Sequence, residues 1–264
     1  MDDMWTTVQL ALGGLLAVSV GMTALWAVQV RTRNAGIVDA GWVFAVGALA
    51  AVAGVLSSGW VGRRVAIAVV VGVWSLRLGT YLLRDRIVGR PEDGRYAQLR
   101  QAWGAAADAR FFWFFQAQAI AAVFFALPAW LAASNPHVGL TTLEQSALLL
   151  WFVAFAGELI ADRQLEAFKA DAANRGRTCR VGLWRYSRHP NYFFEWLMWV
   201  AYAAFAAASP WGVLALACPL AMLYLLFRVT GIPATEAQAL RSRGDDYRRY
   251  QQTTSVFFPW VPRG

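Results

Sequence analysis

The chain has 264 residues, 58% of them apolar and 15% charged, with 24 basic against 16 acidic side chains and a net charge of +8. A soluble domain carries ~45 to 50% apolar residues, so this composition, with a mean hydropathy of +0.41, excludes an ordinary soluble globule. The positive charge would suggest nucleic acid in a soluble chain, but here the arginines flank apolar runs, as expected where basic loops stay on the cytoplasmic side of a bilayer.

Residues 5–29, 40–62, 111–143 and 196–227 contain no Asp, Glu, Lys or Arg. A bilayer core takes about 20 apolar residues per helix. In chain order, the pattern predicts spans at 5–29, 38–58, 64–83, 112–133, 143–162, 192–208 and 211–230. The result is an all-α polytopic membrane protein with seven transmembrane helices and a single domain over 1–264. Residues 5–29 are expected as a span and not a cleaved leader, because Asp2 and Asp3 stand where a leader has basic residues. The 192–208 segment is short and starts polar. Pro128 and Pro219 fall inside spans and are expected as kinks.

The basic residues set the orientation. With the N-terminus outside, the cytoplasmic side receives Arg31, Arg33, the clusters 84–110 and 163–188 and the C-terminal tail, and the outer side receives only Arg63 and Arg64. The expected location is a bacterial cytoplasmic membrane. Cys179 and Cys218 form no metal or disulfide spacing, two histidines leave no room for a multi-histidine centre, and no metal is expected. GxGxxG, HExxH, P-loop and GxSxG motifs are absent.

Several ionisable residues lie inside or at the rims of spans: Asp39, Arg77, Glu158, Asp162, Glu195 and Arg228. A charge at membrane depth is costly unless paired or facing a cavity, so each is a functional candidate, with snorkelling or a structural ion pair as the plain alternative. Glu158 and Asp162 share a helix face, as do Asn191 and Glu195, which follow Arg185, Arg188 and His189. Both faces sit at cytoplasmic helix ends and can converge on one polar pocket. Arginines there offer bidentate contacts to phosphate, carboxylates and Asn can hold ribose hydroxyls, and aromatics can stack a ring. A lipid-headgroup site is the competing expectation. The tail 231–260 is expected to start a helix near Pro233 and to form a surface helix or a lid.

WRYSRHPNYFFEW at 184–196, GIPATE at 231–236 and DYRRYQQTTSVFFPW at 246–260 resemble the DUF1295 group of integral membrane proteins, related to the steroid 5-alpha-reductase family. NAGIVDAGW at 34–42, Arg77 with Tyr81, and RPEDGRY at 90–96 extend the resemblance over nearly the whole chain. It implies a seven-span enzyme that binds NADPH through cytosolic loops 163–191 and the tail 231–264. The reaction implied is reduction of an activated carbon–carbon double bond in a steroid-like or other lipid enone. The cofactor set it implies is Arg77, Tyr81, Glu158, Asp162, Lys169, Arg185, Arg188, His189, Asn191, Tyr192, Glu195, Arg228, Tyr247 and Tyr250, with the phosphates against Arg185, Arg188, His189 and tail arginines. At Glu158 the family has asparagine. Trp74 stands where the reductases carry a catalytic tyrosine, and Asp39 takes the neighbourhood of their glutamate. Tryptophan donates one hydrogen bond but cannot act as a general acid, so either another group supplies the proton, with Asp39 the first choice, or the substrate is not an enone steroid. A methyltransferase using S-adenosylmethionine is the alternative enzyme class, and a non-catalytic lipid-binding membrane protein the third.

Overall fold

The computed structural model describes residues 2–229 and 231–263. Helices α1 (Asp2–Thr32), α2 (Ile37–Leu56), α3 (Val61–Leu82), α4 (Gly94–Trp103), α5 (Ala107–Phe125) and α6 (Leu127–Ala133) come first. They are followed by α7 (Thr142–Ala170), α8 (Pro190–Ala207), α9 (Ala217–Arg228), α10 (Ile232–Arg243) and α11 (Asp245–Thr253). The described residues contain no strand, so the chain is all-α.

Among the described residues, six stretches are long and apolar enough to cross a membrane: Ala11–Thr32, Ile37–Leu56, Val61–Ile87, Gly94–Ala133, Thr142–Ala170 and Gly212–Arg243. The expected 192–208 span is helical, as α8, but is not one of the six. Its first two turns hold Asn191, Tyr192 and Glu195, which dilute the apolar character of an 18-residue helix. The 111–143 run is interrupted at Ala126, and Pro128 lies in the first turn of α6, where its missing N–H costs nothing. Pro219 likewise sits near the start of α9, after a 3-10 turn over Gly212–Leu216. Both prolines therefore mark helix beginnings and not kinks within one helix.

The chain divides into two compact units, Met1–Thr141 with Ala206–Ala215, and Thr142–Phe205 with Leu216–Gly264. In the first, α2 and α3 approach closely through small residues, the packing that membrane helices use when no hydrophobic drive separates them from lipid. A Cβ on Gly47 would lie 2.2 Å from Ser75 Oγ, and one on Gly79 would lie 2.5 Å from the Phe44 ring. The Ser75 hydroxyl donates to Val43 O at 3.0 Å, so the polar group at this contact is satisfied. Arg63, assigned by its charge to the outer side, is wholly buried and donates to the carbonyls of Asn135, His137 and Gly139 at 2.6 to 3.1 Å. Its charge is spread over loop carbonyls that no helix would satisfy. At the other end of the unit, Met22, Val38, Tyr96, Phe111 and Phe115 form a buried cluster.

In the second unit, Gly157 of α7 lets the ring of Phe194 from α8 approach to where a Cβ would lie 2.4 Å away. Trp151 stacks on Phe155 and donates from Nε1 to Tyr202 Oη at 2.8 Å. The loop between α7 and α8 returns to α7: Trp184 Nε1 donates to Ala161 O, and Leu183 N to Gln164 Oε1, both at 2.8 Å. Gly182 adopts φ of +55° at this turn, a conformation most side chains avoid. The tail then docks on that loop. Arg188 N donates to Ser255 O at 2.8 Å, Trp260 N to Tyr186 O at 2.9 Å, and Ser187 Oγ to Phe257 O at 2.8 Å. Phe257 packs edge-on against Phe193, Trp196 and Phe227, which fills the space behind these bonds.

Candidate functional site

The acidic face of α7 and the polar start of α8 meet, as their spacing predicts. Asn191 Nδ2 donates to Asp162 Oδ1 at 3.3 Å, and Asn191 Oδ1 accepts the Tyr192 N–H at 3.0 Å. One turn along α8, Glu195 accepts from Trp199 Nε1 at 3.0 Å. Glu158 is buried one turn before Asp162, and it and Glu195 are the acidic neighbours of the Tyr202 hydroxyl. The unit thus holds an amide–carboxylate pair and, deeper, two carboxylates with a tyrosine.

The Arg–His cluster is organised around a residue that spacing alone did not single out. Glu236, in the first turns of α10, receives Arg188 Nε at 2.7 Å, His189 Nε2 at 3.3 Å and Tyr247 Oη at 3.3 Å on Oε1. Its Oε2 accepts Gln251 Nε2 at 2.9 Å. Arg188 also donates from Nη1 to Gln251 O at 2.8 Å and Thr254 O at 3.1 Å. His189 stacks on Tyr192 with 5.3 Å between ring centroids and 8° between planes, and Tyr192 Oη lies 3.2 Å from Thr235 Oγ1. Tyr250 is buried and donates to the carbonyls of Trp184 and Ser187. Arg188, His189, Tyr247 and Tyr250 thus spend their polar atoms on fastening the tail, whereas Arg185, Lys169 and Arg228 are exposed.

Where α7 ends, a cavity of about 280 Å³ is lined by Phe168, Lys169, Arg175, Arg177, Cys179 and Arg243, among others. The Arg175, Arg177 and Arg243 side chains make no hydrogen bond or ion pair with the protein among the described residues. Other arginines of the unit have carboxylate partners: Arg180 meets Asp246 at 2.9 Å, and Arg248 meets Asp245 at 2.6 Å. Sequence reasoning missed Arg175, Arg177 and Arg243 because they come from two segments far apart in the chain. Their only signal was membership of basic runs.

Asp246 ties α11 to the segment before Gly182. Burial pushes its carboxyl up, but the hydrogen bonds from Thr178 and the Arg180 guanidinium outweigh this and hold it below the usual carboxylate value. A depressed carboxyl contributes stability above its unfolded value and loses it as the pH falls through the folded one. Protection of the amides of residues 178–180 and 245–253, taken relative to an unfolded chain at the same pH, should therefore fall as the pH drops below about 4, the ordinary Asp value. In Asp246→Asn that acid step should disappear. An unchanged step in the variant would show that Asp246 does not hold this contact.

In the first unit, Asp39 accepts from Tyr96 Oη at 2.6 Å and from Arg95 Nη2 at 3.2 Å. Arg95 also meets Asp93, the side chain that caps α4 through the Arg95 N–H at 2.9 Å. Burial raises the Asp93 carboxyl, but the hydrogen bond from the Arg95 N–H and the Arg95 charge bring it below its ordinary value. Tyr96 is the hydroxyl that sequence reasoning missed, although it lies inside the quoted RPEDGRY motif. Trp74 is fully buried, edge-on to Trp42 at 6.1 Å. Arg77 is half-buried on α3, and Tyr81, one turn later, is 41% exposed.

The family model described as a protein of unknown function, DUF1295, matches residues 25–254. A Schizosaccharomyces pombe protein described as uncharacterized is 27% identical over 293 aligned positions, covering 98% of this chain and 82% of the relative. No solved structure matches the chain. With the matched segment running from the end of α1 to the end of α11, the chain belongs to the DUF1295 family.

Proposed function

We propose that this protein is a seven-span membrane oxidoreductase, related to the steroid 5-alpha-reductases, that uses NADPH to reduce an activated carbon–carbon double bond in a steroid-like or other lipid enone. α8 is counted as the seventh span, with the N-terminus outside and the tail on the cytoplasmic side of a bacterial inner membrane. The observation that carries the reading is the Asp162–Asn191 pair, which joins α8 to α7, the helix whose end opens into the basic cavity. Carboxylate and amide suit ribose hydroxyls, and guanidinium groups with no protein partner suit phosphate. This donor set fits a phosphorylated dinucleotide.

Bound NADPH supplies a hydride. Asp162, Asn191 and Glu195 orient the sugar-bearing part, while Glu158, Arg77, Tyr81 and Arg228 belong to the cofactor set by resemblance alone. Lys169 and Arg185 meet phosphate. Arg188, His189, Tyr192, Tyr247 and Tyr250 act by holding the tail, as their committed hydrogen bonds require. The reduced enone needs a proton, and this reading keeps Asp39 as its source by resemblance alone. Apolar helices give the lipid substrate its way in from the bilayer.

The test is binding of NADPH, NADH and S-adenosylmethionine, side by side, to the protein purified in mild detergent. NADPH binding that weakens in Asp162→Ala supports the reading. Binding of the methyl donor alone replaces it with a methyltransferase, and binding of none replaces it with a lipid-binding protein.

A further inference from the structure

The basic cavity at the end of α7 has two walls. Lys169, Arg175 and Arg177 come from the end of α7 and the turns after it, and Arg243 comes from the last turn of α10. Both walls belong to one compact unit. Lys169 and Arg243 are also charged neighbours of the buried Cys179, which places both around one point. Arg243 is half-buried, so its charge is partly withdrawn from water, yet no carboxylate among the described residues pairs with it. The acid that lines the cavity, Asp171, accepts from Ala173 N at 2.9 Å and Asn174 Nδ2 at 3.3 Å. Lys169, Arg175 and Arg177 are exposed and Arg243 is half-buried, so water and salt screen their mutual repulsion in part, and an anion that enters the concave site relieves what remains.

Size narrows the occupant. A cavity of about 280 Å³ is at the small end for a ligand site, enough for a phosphate with a sugar or glycerol attached but not for a dinucleotide or a lipid tail. Guanidinium groups prefer phosphate oxygens, which they meet through paired N–H bonds. We propose that this cavity is a phosphomonoester site closed by Arg243, and that its occupant fastens helix α10 to the end of α7. This deepens the reductase reading, on which it rests for one source of the phosphate, the 2′-phosphate that distinguishes NADPH from NADH. An anionic lipid headgroup presents the same chemistry. Because Arg243 comes from the tail, the phosphate binds tightly only when the tail is docked, and tail docking in turn is favoured by the phosphate.

The experiment uses the full chain in detergent and the variants Arg243→Ala and Arg175→Ala, one from each wall. Neither arginine has a protein partner to lose, so both variants should keep the wild-type proteolysis pattern. Probes are NADPH, NADH, inorganic phosphate, and phosphatidylcholine vesicles with and without phosphatidic acid. Readouts are dissociation constants and amide exchange of residues 232–243. The wild type should bind NADPH about tenfold more tightly than NADH, and both variants should erase that preference while changing NADH affinity by less than about twofold. Inorganic phosphate should slow exchange in 232–243 in the wild type and not in Arg243→Ala.

If both dinucleotides bind but Arg243→Ala weakens them equally or not at all, the phosphate site is overturned while the reductase reading stands. Should neither dinucleotide bind while phosphate still protects 232–243 through Arg243, the site stands and the reductase reading falls. Protection by phosphatidic acid vesicles alone then assigns the phosphate to a lipid. Absence of both NADPH preference and anion protection rejects the proposal outright.

Discussion

Arg188→Ala is expected to release the C-terminal segment and to cost about 3 kcal/mol, the lower end of what breaking a buried ion pair removes. Three bonds vanish together: Nε to Glu236 at 2.7 Å, and Nη1 to Gln251 O at 2.8 Å and Thr254 O at 3.1 Å. Glu236 would stay mostly buried, with 16% of its side chain exposed, and lose its charged partner. His189, Tyr247 and Gln251 would still donate to it, so the loss should fall short of full exposure of the carboxylate. The measurements are limited proteolysis between α10 and the C-terminus and thermal unfolding in detergent. Arg188→Lys should give an intermediate result, because one ammonium cannot reproduce a planar fork aimed at three acceptors. NADPH affinity should fall in parallel with tail release. An affinity loss in a variant whose tail stays protected would mean that Arg188 touches the ligand itself, and an unaltered proteolysis pattern with unaltered stability would remove it from both roles.

Glu92→Ala should destabilise the first unit by a similar amount, about 3 kcal/mol. Glu92 grips Arg100 with both oxygens, at 2.7 and 3.0 Å, and the same carboxylate accepts the Ala35 N–H at 2.8 Å. Ala35 is fully buried, so the alanine variant leaves a backbone donor without an acceptor, at about 1 to 3 kcal/mol by itself. Arg100 would keep Gln29 Oε1 at 3.0 Å and Asp108 at 3.4 Å. Glu92→Gln retains an acceptor for Ala35 and should cost less than half as much. The order alanine, glutamine, wild type in unfolding temperature is the expected result. Alanine and wild type within about 0.5 kcal/mol would show that the turn between α1 and α2 does not depend on this contact.

Both variants probe contacts whose partners are distant in sequence. Arg188 finds Glu236 across 48 positions, and Glu92 finds Ala35 across 57. No periodicity reports such a pairing, since helical spacing says only which residues share a face. The motifs RHPNY, GIPATE and RPEDGRY were visible as polar words in an apolar chain. That the first two bind each other, and that the third reaches back to Asp39 and Ala35, was not.

The sequence by itself determined the helical membrane class, the approximate place of most helices and the convergence of α7 with α8. Apolar length and helical spacing are local properties, and a bilayer leaves the backbone few alternatives to the helix. Tertiary structure alone decided that the prolines begin helices and that Arg188 and His189 fasten the tail. It also left the charges of Arg175, Arg177 and Arg243 facing a cavity. Helix ends are set by the backbone hydrogen bonds that form, and a charge withdrawn from water takes whatever partner the fold brings to it, so both are read only once distant segments have been placed.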